Sequence, residues 1–433
     1  MQQTQLARWS RYLIYFILAV LPLERIPSYE LTHPLHMTIR LSQIAGVILI
    51  ALNLPLLWRT RAKLLQNPWR WLVAFWVVCI LSTGLAMDLK RAVSVTAFTL
   101  FAGLLAWVFA LRLERAKLRV YLIILGASAL AVCLFGYYQF FGDLLGLSTH
   151  WTGLRDQYTK GVFGFPRIQS TALEPLYFGD YLLIPAGVML AAIAAKYRSK
   201  LLAGLLIPIF AVVWLTVSRG AIVALVVMLT ITIVVTWWRK YWLQSGLIVT
   251  AAVISVGLAY GLLYLGSHYV TQKPNQQTTQ AITNFSKQTT NISNGESSEG
   301  RTVTRDLALQ AFRSHPVLGI GPGNFGSYAS LHMPDRFSGD TGIVNNEPLE
   351  ILAETGALGI FAFGVFVVSL LIGALRIKLD GLDSVWRYGL VLALVGIAIQ
   401  YQTFSTLYIT HIWVAIGLLA GLVFLSQSTK QRA

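Results

Sequence analysis

Apolar runs long enough to cross a bilayer recur along most of this chain, with short polar stretches between them. A helix needs about 20 mostly apolar residues to span the hydrocarbon core, and about twelve runs approach that length. They centre near Ala19, Val47, Val77, Phe101, Ala129, Leu183, Pro208, Val226, Ile254, Val365, Leu394 and Ile416. The pattern predicts an all-α polytopic membrane protein. The runs at Pro208 and Val226 are nearly continuous, and Gly220 in Ser218-Arg219-Gly220 supplies a tight turn between them. Two polar intervals stand out for length, at residues 142–174 and 267–348. The expected organisation is therefore transmembrane helices one to nine within 1–266, a large loop over 267–348, and helices ten to twelve over 349–433.

The large loop has two parts. From Gln272 to Ser298 it is rich in Gln, Asn, Thr and Ser, a composition that reads as flexible. From Arg301, the spacing of Val303, Leu307, Leu309, Ala311 and Phe312 predicts an amphipathic helix lying at the membrane interface, ended by Pro316. Gly319, Gly321 and Gly323 then form a turn. Pro322 removes an N–H and no strand precedes the glycines, so neither a Walker A loop nor a dinucleotide fingerprint is met.

Composition agrees with the pattern. Hydrophobic residues make up 56% of the chain and charged residues 12%, with mean hydropathy +0.63, against about 25% charged in soluble domains. The net charge of +16 does not mark a nucleic-acid partner, because no basic tail or nucleic-acid motif exists. Most Lys and Arg residues lie in alternating short segments: Arg8 and Arg11; Arg59 to Arg70; Arg112 to Arg119; Lys196 to Lys200; Arg239 and Lys240; Arg376 to Arg387; Lys430 and Arg432. The positive-inside rule places these in the cytoplasm, with both termini inside and the two long loops outside. Cys79 and Cys133 fall in apolar runs as small hydrophobes, without disulfide or metal spacing.

Arg167, Arg301 and Arg305 fall on the outer side, against that trend. Guanidinium offers a planar fork of donors suited to phosphate oxygens, so several in the outer loops predict a pyrophosphate clamp. Arg219, between two spanning runs, either faces an anionic partner or snorkels to the interface. Outer acid–base groups are His315, His332, Asp335, Asp340, Glu347 and Glu354, while His411 inside the last run reads as an interhelical hydrogen-bonding residue. Two functions fit: glycan transfer from a lipid carrier, or transport or flipping of a lipid-linked or anionic solute. Helix interiors almost free of charge, apart from Asp180, favour chemistry at the outer surface.

With these residues the chain resembles the bacterial O-antigen ligase and polymerase family. The resemblance rests on Gly300-Arg301, the run His315-Pro316-Val317-Leu318-Gly319-Ile320-Gly321-Pro322-Gly323-Asn324-Phe325, then Asn345-Asn346-x-x-Leu349 and Glu354-Thr355-Gly356. Pro166-Arg167 with Ser170-Thr171 and Glu174-Pro175, and Ser218-Arg219-Gly220, resemble two earlier elements of the family. The resemblance implies a GT-C-like helical fold in the bacterial cytoplasmic membrane, with short helices in the extracytoplasmic loop. It implies a glycan donor on undecaprenyl pyrophosphate, a glycan or lipid acceptor, and metal-independent transfer without a cofactor. Arg167 and Arg301 would hold the pyrophosphate, with Arg219 and Arg305 in support. Asn345 stands where the ligases carry a histidine. Asparagine cannot take a proton at neutral pH, so Asn345 is expected to orient the acceptor, with Glu347 or His332 handling the proton.

Overall fold

The computed structural model describes residues 2–26, 28–31, 37–270, 282–286, 296–337 and 342–430. Most of the stretch Gln272–Ser298, and Asp340, lie outside them. The chain forms α1 (Gln2–Val20), a hairpin of β1 (Ser28–Leu31) and β2 (Met37–Arg40), then α2 (Leu41–Leu52), α3 (Leu54–Thr60), α4 (Trp69–Thr83), α5 (Leu89–Arg112) and α6 (Leu118–Leu144). After a loop with two single-turn helices come α7 (Pro175–Ala194), α8 (Ser199–Leu215), α9 (Arg219–Trp238) and α10 (Trp242–Val270). Then follow α11 (Glu296–Ser314), α12 (Phe325–His332), α13 (Glu347–Arg376), α14 (Gly381–Gln400) and α15 (Thr410–Lys430). The hairpin is antiparallel, pairing Ser28 with Arg40.

Every expected centre falls inside one of these helices, but fewer helices qualify as spans. Among the described residues seven are long and apolar enough, and the bent pair Leu41–Leu52 and Leu54–Leu65 makes up to eight. The shortfall from about twelve is one of length. α4 has 15 residues, about 22 Å at 1.5 Å per residue, below the ~30 Å core. Arg8 and Arg11 shorten the apolar part of α1. The chain is a helical, integral membrane protein.

The helix at the centre is α7, whose face is buried all round against α8, α9 and α14. A hydrophobic all-round helix of this kind belongs in the middle of a bundle. A second packing centre joins Trp69 and Trp107, edge to face at 4.6 Å, with Phe366 and Phe424. By contrast α10 and α13 leave Leu243, Val253, Phe361 and Val368 exposed, as lipid-facing helices do.

The two ends of the bundle differ in charge. At one, Arg11 meets Glu114 at 2.9 Å, Arg112 bonds Asn53 at 2.6 Å and Arg115 meets Asp383 at 2.9 Å. Trp237, Trp238 and Trp242 lie exposed beside Arg239 and Lys240, where an aromatic belt would sit. The other end gathers the loops. There the Asp88 N–H donates to Asn324 at 2.6 Å, Arg91 Nε donates to the Gly323 carbonyl at 2.6 Å, and Arg25 bonds the Gly153 carbonyl at 2.5 Å.

The glycine turn is part of the bundle at this end. Residues 316–321 run main chain against main chain along α13. Ile320 N donates to Ala353 O (3.0 Å), Gly321 N to Glu354 O (2.9 Å), Ala357 N to Pro316 O (2.9 Å), and Leu358 N to Val317 O (3.3 Å). Contact this close leaves no room for side chains. A Cβ on Gly319 would strike the Glu354 and Thr355 backbone, and one on Gly356 the backbone of Val317 and Leu318. Both have positive φ, +69° and +66°, and Gly356 kinks α13.

The amphipathic helix expected from Arg301 begins earlier, at Glu296. Its apolar face is spent differently from expectation. Leu307, Ala308 and Ala311 join Ile320, Phe325, Tyr328, Val344 and Ala353 in a small core. The helix therefore caps the bundle on a protein surface instead of lying with that face in lipid.

Candidate functional site

Three arginines from three separate segments converge at the loop end. Arg167 lies in the loop before α7, Arg219 opens α9, and Arg301 sits in the second turn of α11. Arg167 Nε donates to the Thr216 carbonyl at 2.7 Å, which ties its side chain to the turn leading into Arg219. Burial lowers the proton affinity of Arg167 most, and the charges of Arg219 and Arg301 lower it further, against Tyr158 and Glu174, which raise it. Arg301 is lowered by burial and then by Arg219. Like charges gathered in one place make this end of the bundle attractive to an anion. Arg219 at a helix N-terminus also opposes the helix dipole.

The backbone is strained where this happens. Ser170, Val217 and Asn345 have positive φ of 53°, 51° and 59°. Such residues cost of order 1–3 kcal/mol each and persist only where their surroundings hold them. Ser170 is held by Gln139, which bonds both its N–H (2.7 Å) and its carbonyl (3.0 Å). Val217 lies between Thr216, which accepts from Arg167, and the start of α9.

Asn345 is clamped through its main chain. The Val344 N–H donates to Glu350 Oε2 at 2.7 Å, Thr304 Oγ1 donates to the Val344 carbonyl at 2.9 Å, and Asn345 N–H donates to Ser405 Oγ at 3.1 Å. Ser405 Oγ in turn donates to Glu350 Oε2 at 2.6 Å. Thr304 also bonds the Arg301 carbonyl at 3.1 Å, so one hydroxyl sets the register between Arg301 and Asn345. Both residues line a cavity of ≈ 570 Å³, with Thr304, Arg336, Phe337 and Ile343.

Of the other expected site residues, the structure draws none into this cavity. Glu347 is 3% exposed, its N–H bonded to the Tyr401 and Phe404 carbonyls. His332 is exposed, stacks on Tyr328 at 4.0 Å, and opens with His315 onto a separate cavity of ≈ 340 Å³. Arg305 is exposed one turn beyond Arg301. Glu354 holds the glycine turn through the Gly323 and Phe325 N–H groups at 2.6 and 3.1 Å. A larger cavity of ≈ 810 Å³ lies elsewhere, between Met87–Lys90 and α12.

Sequence reasoning missed three neighbours of Asn345: Glu350, Ser405 and Arg336. Glu347, Glu350 and Glu354 stand at i, i+3 and i+7, one face of a helix, and that spacing was the available signal for Glu350. Ser405 carries none, because its partners lie 55 and 60 residues away. Asp180 also proves to have company. His411 Nε2 lies 2.9 Å from it, as expected of an interhelical histidine, and His411 Nδ1 is 3.7 Å from Glu24, itself 3.7 Å from Arg40. All four are buried. Glu24 Oε2 accepts from Leu173 N–H at 3.4 Å, so this charged row braces the loop between Arg167 and α7.

Residues 203–364 match the family model described as O-antigen ligase. No curated protein matches the chain. The matched stretch holds Arg219, Arg301 and Asn345, while Arg167 and Glu174 precede it.

Proposed function

We propose, from the membership of the O-antigen ligase and polymerase family that the match supports, that this chain transfers a glycan from undecaprenyl pyrophosphate to an acceptor hydroxyl. The observation that carries this reading is the convergence of Arg167, Arg219 and Arg301 beside the cavity of Arg301 and Asn345. In such a transfer the acceptor oxygen attacks the anomeric carbon while the bond to the carrier breaks. Negative charge then grows on the departing pyrophosphate, and donors already aimed at that charge lower the barrier most. The three guanidiniums are those donors. Asn345 borders the same space and orients a hydroxyl by its amide, which both donates and accepts. Arg305, exposed on the same helix, adds to the field that draws an anionic donor in. The basic end of the bundle faces the cytoplasm under this reading, and the arginine site faces outward.

The test is carrier release. Purified protein in detergent, where transport has no meaning, is given undecaprenyl-pyrophosphate-linked oligosaccharide and an acceptor glycan. The expected product is free undecaprenyl pyrophosphate, and intact donor throughout would overturn the reading. A deletion strain separates the two activities of the family: single unpolymerised repeats mark a polymerase, and unattached polymer marks a ligase.

A further inference from the structure

The cavity of ≈ 570 Å³ that Arg301 and Asn345 border is also lined by Arg336, Phe337, Gly300 and Gly342, which a pyrophosphate clamp leaves without a role. Phe337 and Arg336 are set in place by the turn that ends α12. Their N–H groups both donate to the Met333 carbonyl, at 3.0 and 3.1 Å. With Val303 and Met333, Phe337 packs against the small core of Leu307, Phe325 and Tyr328. It is only half-buried, so its ring is shared between that core and the cavity. The glycines leave room beside it. A Cβ on Gly300 would meet nothing within 4 Å, and one on Gly342 would lie 3.8 Å from Phe337 Cδ1, so a side chain at 342 would compete for the ring.

The face of an aromatic ring carries partial negative charge, and a pyranose presents a face of C–H groups with partial positive charge. A half-exposed ring in a polar cavity therefore suits a sugar, whereas a pyrophosphate has no such face to offer it. The polar lining selects further. It holds two guanidiniums and one amide, and no carboxylate. The Thr304 hydroxyl is spent between the Arg301 and Val344 carbonyls. A neutral sugar is rich in O–H donors and needs acceptors. A sugar bearing a carboxylate needs donors, and Arg336 presents them as a planar fork matched to that group.

We propose that this cavity is the subsite for the sugar joined to the carrier, that its ring stacks on Phe337, and that Arg336 takes a carboxylate on it, so that donors with an acidic sugar are the preferred class. This rests on the transfer reading above, in which Arg301 holds the pyrophosphate attached to that same sugar. The two arginines of the cavity then divide the donor's negative charge, pyrophosphate to Arg301 and carboxylate to Arg336. Asn345 is left for the acceptor hydroxyl.

The experiment measures binding to full-length protein in detergent of three ligands: undecaprenyl pyrophosphate, and the same carrier bearing one glucose or one glucuronic acid, which differ at a single carboxylate. Wild type should bind the glucuronic acid form about 10–100-fold more tightly than the glucose form, the value of one charge-assisted pair. Arg336→Gln should abolish that preference and bind the bare carrier within about threefold of wild type. Phe337→Ala should weaken both sugar-bearing ligands about tenfold and leave the bare carrier unchanged, with Phe337→Tyr restoring them. Equal binding of the two sugars by wild type overturns the acidic class. Loss of the bare carrier in Arg336→Gln overturns the assignment by placing that residue in the pyrophosphate clamp. Undiminished binding of both sugars in Phe337→Ala overturns the stacking. Carrier release from lipid-linked oligosaccharide is read in parallel. The expected binding pattern without any release overturns the transfer reading and leaves the cavity as a binding site for an acidic lipid-linked sugar.

Discussion

At Asn345 the backbone explains the side chain. Its φ of +59° lies in the left-handed region, where asparagine, aspartate and histidine are several-fold enriched among non-glycine residues. The histidine that the resemblance implies at this position and the asparagine of this chain thus satisfy the same local geometry. Glycine takes that geometry without strain and has no amide, so Asn345→Gly separates backbone from side chain. If the amide orients a hydroxyl, Asn345→Gly and Asn345→Ala both lose about tenfold in rate, the value of one hydrogen bond of about 1.4 kcal/mol. Wild-type rates in Asn345→Gly would leave the side chain no role. Asn345→His should fold normally, whereas Asn345→Val, β-branched in a left-handed site, should lower the yield of folded protein. For the arginines the fork matters as well as the charge. Arg301→Lys keeps the charge but not the bidentate geometry. Arg301→Ala should cost about 2–3 kcal/mol, roughly a hundredfold in carrier release, with Arg301→Lys recovering only part. Full activity in Arg301→Ala at normal expression would remove it from the clamp.

At the scale of elements, the paired turn and kink are the stiffest part of the loop end. Gly319→Ala adds both a left-handed alanine and a collision with the α13 backbone, together about 2–4 kcal/mol. Gly204→Ala, with open space around it, is the control and should be neutral or slightly stabilising. The check is the temperature at which each variant loses its folded size-exclusion peak in detergent, and equal temperatures would contradict the backbone packing. Helix positions were readable from hydropathy because a bilayer imposes one requirement on every span. The breaks at Gly319 to Gly323 were readable too, since glycine and proline act locally. The packing partner of that turn was not, because main-chain bonds to Ala353 and Glu354 leave no trace in residue type beyond the absence of side chains. The same limit applies to α11. Its apolar stripe was legible, but a stripe alone does not tell lipid from the protein core formed with Phe325 and Tyr328.

For the molecule as a whole, the charge split between the two ends predicts orientation. Cys79 and Cys133 are both buried, so introduced cysteines can be read against a low background. Gln310→Cys, exposed on α11, should react with an impermeant thiol reagent in intact spheroplasts, and Lys200→Cys, exposed at the basic end, should not. The reverse pattern would invert the proposed orientation. The charge rule singled out Arg167, Arg301 and Arg305 alike, although Arg305 does not line the cavity. It left Arg219 open between an anionic partner and the interface, because which of these a residue between two spans faces depends on the turn at Thr216 and Val217. The turn at 316–321, the kink in α13 and the loop at 401–405 are joined chiefly by backbone atoms, including Glu347 N–H to the Tyr401 and Phe404 carbonyls. Chimeras between relatives should therefore recombine cleanly only at crossover points outside residues 300–405, because a junction within that interval divides partners whose fit depends on the path of both chains.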